Sequence, residues 1–177
     1  MDTDMNNAMR GLKNFFKGKK VLITGHTGFK GSWLAKILLN WGADVVGAAF
    51  DPHTKPNLFG ALGLEANMKN YFEDIRNFEK VSEIFARERP EIVFHLAAQA
   101  LVRESYDNPL LTVSTNVLGT ANILENIRNS AFCRSAVIIT TDKVYKNIGA
   151  DQHAFREDGA LGGYDPYSAS KAAAEHL

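Results

Sequence analysis

A chain of 177 residues, 45% hydrophobic and 23% charged, is long enough for one domain with a real core. Its 20 basic and 20 acidic side chains cancel, leaving no electrostatic footprint for nucleic acid or an anionic membrane. The single Cys133 excludes an internal disulfide and fits a reducing, cytoplasmic compartment, and no apolar run approaches the ~20 residues that cross a bilayer.

In chain order, residues 1–14 read as a loose tail, with Asp2 and Asp4 and no apolar core of a secretory signal. Phe15 and Phe16 are expected to pack just ahead of the first strand, Lys20–Thr24. The next helix is predicted over Ser32–Trp41, with Trp33, Leu34, Ile37, Leu38 and Trp41 on one face, and Gly42 stops it. Asp44–Phe50 reads as a second strand, Pro52–Leu64 as a loop with one short helical turn, and Lys69–Glu73 as a third strand. Phe78–Arg89 reads as a helix with Val81, Ile84 and Phe85 inward, closed by Pro90; Ile92–Leu96 is the fourth strand. A long helix, interrupted by Gly119, is predicted over Asn108–Asn129, with Val113, Val117, Leu118, Ile123, Leu124 and Ile127 apolar. Ala136–Thr141 is the fifth strand, Lys146–Asp165 a polar loop, and Tyr167 opens a last helix. Strands alternating with helices predict an α/β, Rossmann-type doubly wound parallel sheet over residues 15–177. The runs VLIT, IVFHL and AVIIT are apolar throughout, as strands covered on both faces should be.

The first strand breaks into three glycines, Gly25, Gly28 and Gly31, and a helix follows. Glycine permits the sharp turn, its bare backbone lets a pyrophosphate approach, and the helix aims free N–H groups and its positive end at that phosphate. A glycine triplet alone is equally a tight turn; its place between strand and helix favours the nucleotide. Asp51 ends the second strand, where an acid accepts both hydroxyls of an adenosine ribose and repels a 2′-phosphate, favouring NAD over NADP; otherwise it forms the turn before Pro52. Asp74 is either an acceptor for the adenine amino group or an N-cap for the following helix. The small Ala97 and Ala98, within HLAAQ (His95–Gln99), let backbone lie close to a nicotinamide ribose, or pack a helix tightly on the strand. His95 reads as a satisfied buried histidine, and Cys133 as a small apolar residue with no motif around it.

Tyr167 and Lys171 form Y-x-x-x-K, a spacing that puts both on one helical face. An ammonium beside a phenol stabilises the phenolate, which can take a hydroxyl proton while hydride leaves the same carbon. Thr141, Asp142 and Lys143 follow the fifth strand, on the carboxyl edge where open α/β sheets bind ligands. There a Thr hydroxyl can bond a substrate oxygen and an Asp can act as general acid; the plain alternative is a loop with a surface ion pair.

Together GHTGFKGSWL, Asp51 with PNLF after it, FHLAAQALVRESY, TNVLGTANILE, TTDKVYKN and LGGYDPYSASK resemble the extended short-chain dehydrogenase/reductase family, in the branch acting on nucleotide sugars. The pattern is most similar to its 4,6-dehydratases. The resemblance implies a homodimeric enzyme with NAD held by Gly25, Thr27, Gly28, Phe29, Gly31, Asp51, Asp74, Ile75, Leu96, Ala97, Ala98, Gln99, Asn116, Tyr167 and Lys171, and no metal. It implies oxidation at sugar carbon 4 with Tyr167 taking the proton, loss of water across carbons 5 and 6 with Asp142 as acid, and return of the hydride to carbon 6. Lys143 stands where related dehydratases carry a Glu that acts as base at carbon 5. A lysine is a base only where burial or a neighbouring cation favours its neutral form, so that step is left open. Family members run to about twice this length, so the resemblance also predicts that the nucleotide-binding half is missing, that the fifth strand is an uncovered edge, and that the chain alone is inactive. An epimerase or reductase, which needs no acid at Asp142, and a remnant that only binds NAD are the competing readings.

Overall fold

The computed structural model describes residues 2–52, 54–146 and 154–177; part of the predicted polar loop, 147–153, lies outside them. Five strands, β1 (Lys20–Thr24), β2 (Asp44–Ala49), β3 (Lys69–Phe72), β4 (Ile92–His95) and β5 (Ser135–Ile138), form one sheet in the order β3-β2-β1-β4-β5. Every neighbouring pair is parallel. The helices are α1 (Asp2–Phe16), α2 (Phe29–Asn40), α3 (Leu58–Ala61), α4 (Phe78–Glu88), α5 (Val102–Asp107), α6 (Pro109–Val113), α7 (Gly119–Arg128) and α8 (Pro166–Glu175).

Alternation along β1 builds a core on each face of the sheet. Val21 and Ile23 pack with Val45, Ile92 and the α2 residues Ala35 and Leu38. Leu22 points the other way, with Val46, Val93, the α4 residues Val81, Ile84 and Phe85, and Ile123 of α7. The doubly wound Rossmann-type fold is therefore present. At the amino ends of the strands, buried Glu88 takes hydrogen bonds from Tyr71 (2.6 Å) and Lys69, and pairs with Lys20. Burial works against its charge, but Tyr71 and the two lysines outweigh that and hold the carboxyl below its ordinary pKa.

Several expectations need correction. Residues 2–16 are helical, not a loose tail. Positions 7–15 are exposed; among the α1 side chains the structure describes, Phe16 is the buried one, stacking on Trp41, while Phe15 is exposed. The second helix starts at Phe29, three residues early, because the glycine turn feeds straight into it. Its buried face is Gly31, Ser32, Ala35 and Leu38; Trp33 and Ile37 are exposed, since a helix lying close on a sheet needs small residues at the contact. The predicted helix over 108–129 is three successive segments, with a π-helical turn at Ser114–Leu118 between α6 and α7. That turn shifts the apolar stripe, so Val113 and Leu118 face out while Thr112, Thr115, Asn116 and Thr120 are buried. The hexamer α5 was missed, and β5 ends three residues short of Thr141.

Candidate functional site

The strand order reverses between β1 and β4, and the loops leaving these two strands flank a crevice at the carboxyl edge of the sheet. The three glycines there have different reasons. Gly25 has φ +74°, and a β-carbon on it would lie 2.7 Å from Ala97 N. A β-carbon on Gly31 would overlap the Gly25 carbonyl. At Gly28 the nearest protein atom to a β-carbon is 3.4 Å away, an ordinary contact, so the protein itself does not require glycine there. Gly28 is the N-cap of α2, without a side-chain cap and without an acid in the first turn, so the helix end is bare toward the crevice. This fits a bound pyrophosphate. Thr27 donates to the Phe50 carbonyl at 2.8 Å, tying the turn to the end of β2, and Phe29 is exposed. Asp51 is exposed at the same mouth.

Asp74 does not cap α4; Asn77 does, accepting from Lys80 N. Asp74 instead accepts from Arg76 N (2.9 Å), Nε (2.8 Å) and an Nη (2.6 Å). Burial opposes its charge, but the Arg76 hydrogen bonds prevail and keep its pKa below the ordinary value. Ile75 is buried, its side chain lying where a β-carbon on Gly119 would go, and its carbonyl accepts from Asn122.

Beyond β4, loop 96–99 is held by a fully buried amide. Asn116 accepts from Gln99 N (2.8 Å), donates to Gln99 O (2.9 Å) and reaches Ser170 Oγ on α8 (2.9 Å). The Gln99 side chain donates to Thr112 and Leu101 O and accepts from Leu101 N. Both Asn116 and Gln99 therefore spend their amides inside the protein, shaping the crevice wall. His95 is buried, between Thr24 Oγ1 (2.6 Å) and Thr120 Oγ1 (3.0 Å). Burial and then the Lys171 charge push its pKa down to about 3, so the ring is neutral.

The helix α8 opens with Asp165 as N-cap, accepting from Ser168 N (2.9 Å) and Ser168 Oγ (2.5 Å), and with Pro166 at its first position. It packs against α5, α6, the π turn and the 3₁₀ turn Asp142–Val144. Tyr167 is half-buried on its first turn and Lys171 is buried one turn on, its Nζ donating to Ile139 O at 2.9 Å. Burial, opposed by Glu175, lowers Lys171 to about 8. Thr141 caps the 3₁₀ turn, accepting from Lys143 N, and donates to Asp142 (3.1 Å). Asp142 and Lys143 are exposed and line an open cleft of about 200 Å³ with Tyr145, Phe155, Gly163, Tyr164, Asp165 and Ser168. Chemically, the edge combines a bare helix end, a phenol with an ammonium one turn away, and a carboxylate on an adjoining turn.

The family model described as GDP-mannose 4,6 dehydratase matches residues 22–177. The chain belongs to this family. It is 50% identical over 163 residues to CDP-glucose 4,6-dehydratase of Salmonella typhimurium, covering 92% of this chain and 45% of that protein. It is 32% identical over 175 residues to CDP-paratose 2-epimerase of Salmonella typhi, covering 88% and 51%. Among solved structures, a UDP-glucose 4-epimerase of Thermus thermophilus in complex with NAD superposes with TM-score 0.76 at 31% identity, over 88% of this chain and 48% of that one. The chain spans about half the length of the relatives it matches.

In this member of the GDP-mannose 4,6-dehydratase family, sequence reasoning missed His26, Thr24, Thr120, Ser170 and Asp165 as parts of the site's frame. Asp165-Pro166 was the legible one, being an N-cap followed by proline at the first helical position. His26 gives no local signal. It is buried under the glycine turn against Phe59 and Phe72, and its ring fills the space of a side chain at Gly47. Cys133 is half-buried, and burial raises its pKa, as a packing role requires. Among the described residues no group of three His, Cys, Asp or Glu side chains could hold a metal ion, and no helix is long and apolar enough to cross a membrane.

Proposed function

We propose that this chain is the cofactor-holding part of an NAD-dependent nucleotide-sugar 4,6-dehydratase that converts CDP-glucose to CDP-4-keto-6-deoxyglucose. The observation that carries the reading is the meeting of Tyr167, Lys171 and the Thr141–Asp142–Lys143 turn at one sheet edge, next to a glycine crevice whose middle glycine the protein does not itself need. The identity to a CDP-glucose 4,6-dehydratase supports the substrate, and the NAD-bound epimerase of the same fold supports the cofactor. Asp51, an acid at the mouth, favours NAD over NADP.

Bound NAD supplies a reversible hydride acceptor. The turn at Gly25–Gly28 and the N-terminus of α2 hold the pyrophosphate, Asp51 the adenosine ribose, and loop 96–99 borders the nicotinamide ribose. Tyr167 takes the proton of the sugar 4-hydroxyl, with the Lys171 ammonium favouring its phenolate. Thr141 positions the oxygen at carbon 4. Asp142, exposed in the cleft, takes the proton of carbon 5 as a carboxylate and passes it to the leaving hydroxyl of carbon 6, so that water departs with no proton left over. Lys143 faces the same cleft; burial opposes the charge of Asp165, but its Ser168 hydrogen bonds, and after them the Lys143 charge, hold its pKa below the ordinary value. As an ammonium Lys143 stabilises the developing enolate.

The test is a turnover of the protein carrying this chain with CDP-glucose deuterated at carbon 4. Product that has lost water and carries the deuterium at carbon 6 is the expected result. An epimer that retains its water would replace the reading with an epimerase. By the same reading Leu110, Val113 and Leu118, which are 85%, 45% and 59% exposed, belong to a homodimer contact. Sedimentation of the chain and of Leu110→Glu checks it, and a wild-type monomer at high concentration would exclude it.

A further inference from the structure

The hydrogen bonds around His95 run in one direction. Thr120 Oγ1 donates its only proton to Asn116 O at 2.7 Å, so His95 Nε2, 3.0 Å from that oxygen, must be the donor to it. A neutral ring with Nε2–H leaves Nδ1 as acceptor, and Thr24 Oγ1 donates to it at 2.6 Å. Thr24 Oγ1 in turn accepts from Ala97 N at 3.2 Å. The chain continues through Asn116, which grips both main-chain groups of Gln99 and donates to Ser170, and through Ser170 Oγ, which donates to Tyr167 O at 2.7 Å. One buried polar path thus links the end of β1, loop 96–99 and the first turn of α8.

We propose that His95 is a positioning residue, locked as the Nε2–H tautomer, that holds loop 96–99 in register with the turn bearing Tyr167. It touches no reacting atom. It acts through Thr24 on one side and through Thr120 and Asn116 on the other. A phenylalanine of similar volume would leave Thr24 and Thr120 without their buried partner, and an imidazole of the other tautomer would set two donors, or two acceptors, against each other. The inference rests on the proposed place of loop 96–99 beside the nicotinamide half of NAD.

Two measurements on the chain test it. In the first, nitrogen NMR of the His95 ring at neutral pH should show Nε2 protonated and Nδ1 bare; a protonated Nδ1 overturns the proposal. In the second, NAD and ADP are titrated into wild type, His95→Phe, His95→Gln and Thr120→Val, since ADP lacks the nicotinamide half. NAD affinity should fall about tenfold in His95→Phe and Thr120→Val, the scale of one or two lost hydrogen bonds, with ADP affinity within about twofold of wild type. His95→Gln, which restores a donor toward Thr120, should recover most of the loss. Equal loss of NAD and ADP affinity, or no loss, overturns the proposal. Where His95→Phe does not fold, Thr120→Val decides. If the wild type binds neither nucleotide, the cofactor reading fails, and amide exchange then decides the positioning role: exchange at Gln99 must rise in Thr120→Val, and unchanged exchange overturns it.

Discussion

Lys171 donates to the main-chain oxygen of Ile139, 2.9 Å away, so the lysine of the Y-x-x-x-K pair is anchored to the outgoing end of β5. The bond fixes the ammonium one turn from Tyr167, and it does so in a buried setting that disfavours the charge. Stability and the proposed chemistry therefore pull on this residue in opposite directions.

The folded pKa of Lys171 is about 8 against an ordinary 10.5. Between those values the unfolded chain binds more protons than the folded one, so this group makes stability rise with pH across that window. Below about 8 its full cost is present. Urea midpoints measured from pH 7 to 10.5 should show this rise in wild type and a flatter profile in Lys171→Met. The variant should be at least as stable at pH 7, yet inactive in the complete enzyme. An identical pH slope in both proteins would contradict the buried-charge account.

On the acid side, besides carboxyls held low such as Glu88 and Asp74, two buried histidines contribute: His26 and His95, whose pKa values burial lowers to about 4 and about 3 from 6.5. The unfolded chain takes up these protons first, so the stability they confer is complete above 6.5 and is lost as pH falls toward the folded values. At about 1.4 kcal/mol per pKa unit, the two together can remove several kcal/mol by pH 3. His26→Phe, placed among Phe59 and Phe72, should shallow the acid limb of a midpoint-against-pH curve; an unchanged limb would remove His26 from the account.

Two glycines of the turn should separate folding from binding. Gly31→Ala sets a methyl group against the Gly25 carbonyl and should cost about 1–3 kcal/mol or more, as overpacking does. Gly28→Val meets no protein atom closer than an ordinary contact at its β-carbon, and should keep a near-native melting temperature while losing NAD binding. Loss of both properties together in Gly28→Val would assign that glycine to the fold alone.

Asp165 caps the helix that carries Tyr167 through two bonds to Ser168. Asp165→Ala should cost about 1 kcal/mol, read from denaturant unfolding, and Asp165→Asn, which keeps the acceptor, should recover most of it. Equal losses in the two variants would point to charge rather than capping.

In the complete enzyme the roles proposed for Tyr167 and Asp142 give different failures. Tyr167→Phe should show no NADH absorbance in a single turnover, because the first proton is never taken. Asp142→Asn should oxidise carbon 4 and then stall, so that NADH accumulates. A stall of both variants at the same stage would dissolve the distinction between them.

Much of the frame was legible because it is written in local patterns. The doubly wound sheet follows from apolar runs alternating with helical segments, and β1 was placed to the residue because its β-branched and aliphatic run stops at a glycine turn. What went wrong was placed by packing. The inward face of α2 is glycine, serine and alanine, which hydrophobicity alone ranks behind Trp33 and Ile37. Residues 109–128 change their exposed face at a π turn that no periodicity signals.

The amino-acid sequence by itself determined the order of the five strands, the glycine turn and the placing of Tyr167 and Lys171 one turn apart on a single helix, since these depend on spacing along one segment. Only the tertiary structure decided what Asn116, His95 and Gly28 do. Asn116 and Gln99 turn inward to each other across 17 positions, His95 reaches partners 71 and 25 positions away, and Gly28 proves to be the one glycine of the three where a β-carbon would meet no more than an ordinary contact. Buried polar groups must find partners wherever the fold brings them, and that pairing is set by three-dimensional proximity, which spacing in sequence does not encode.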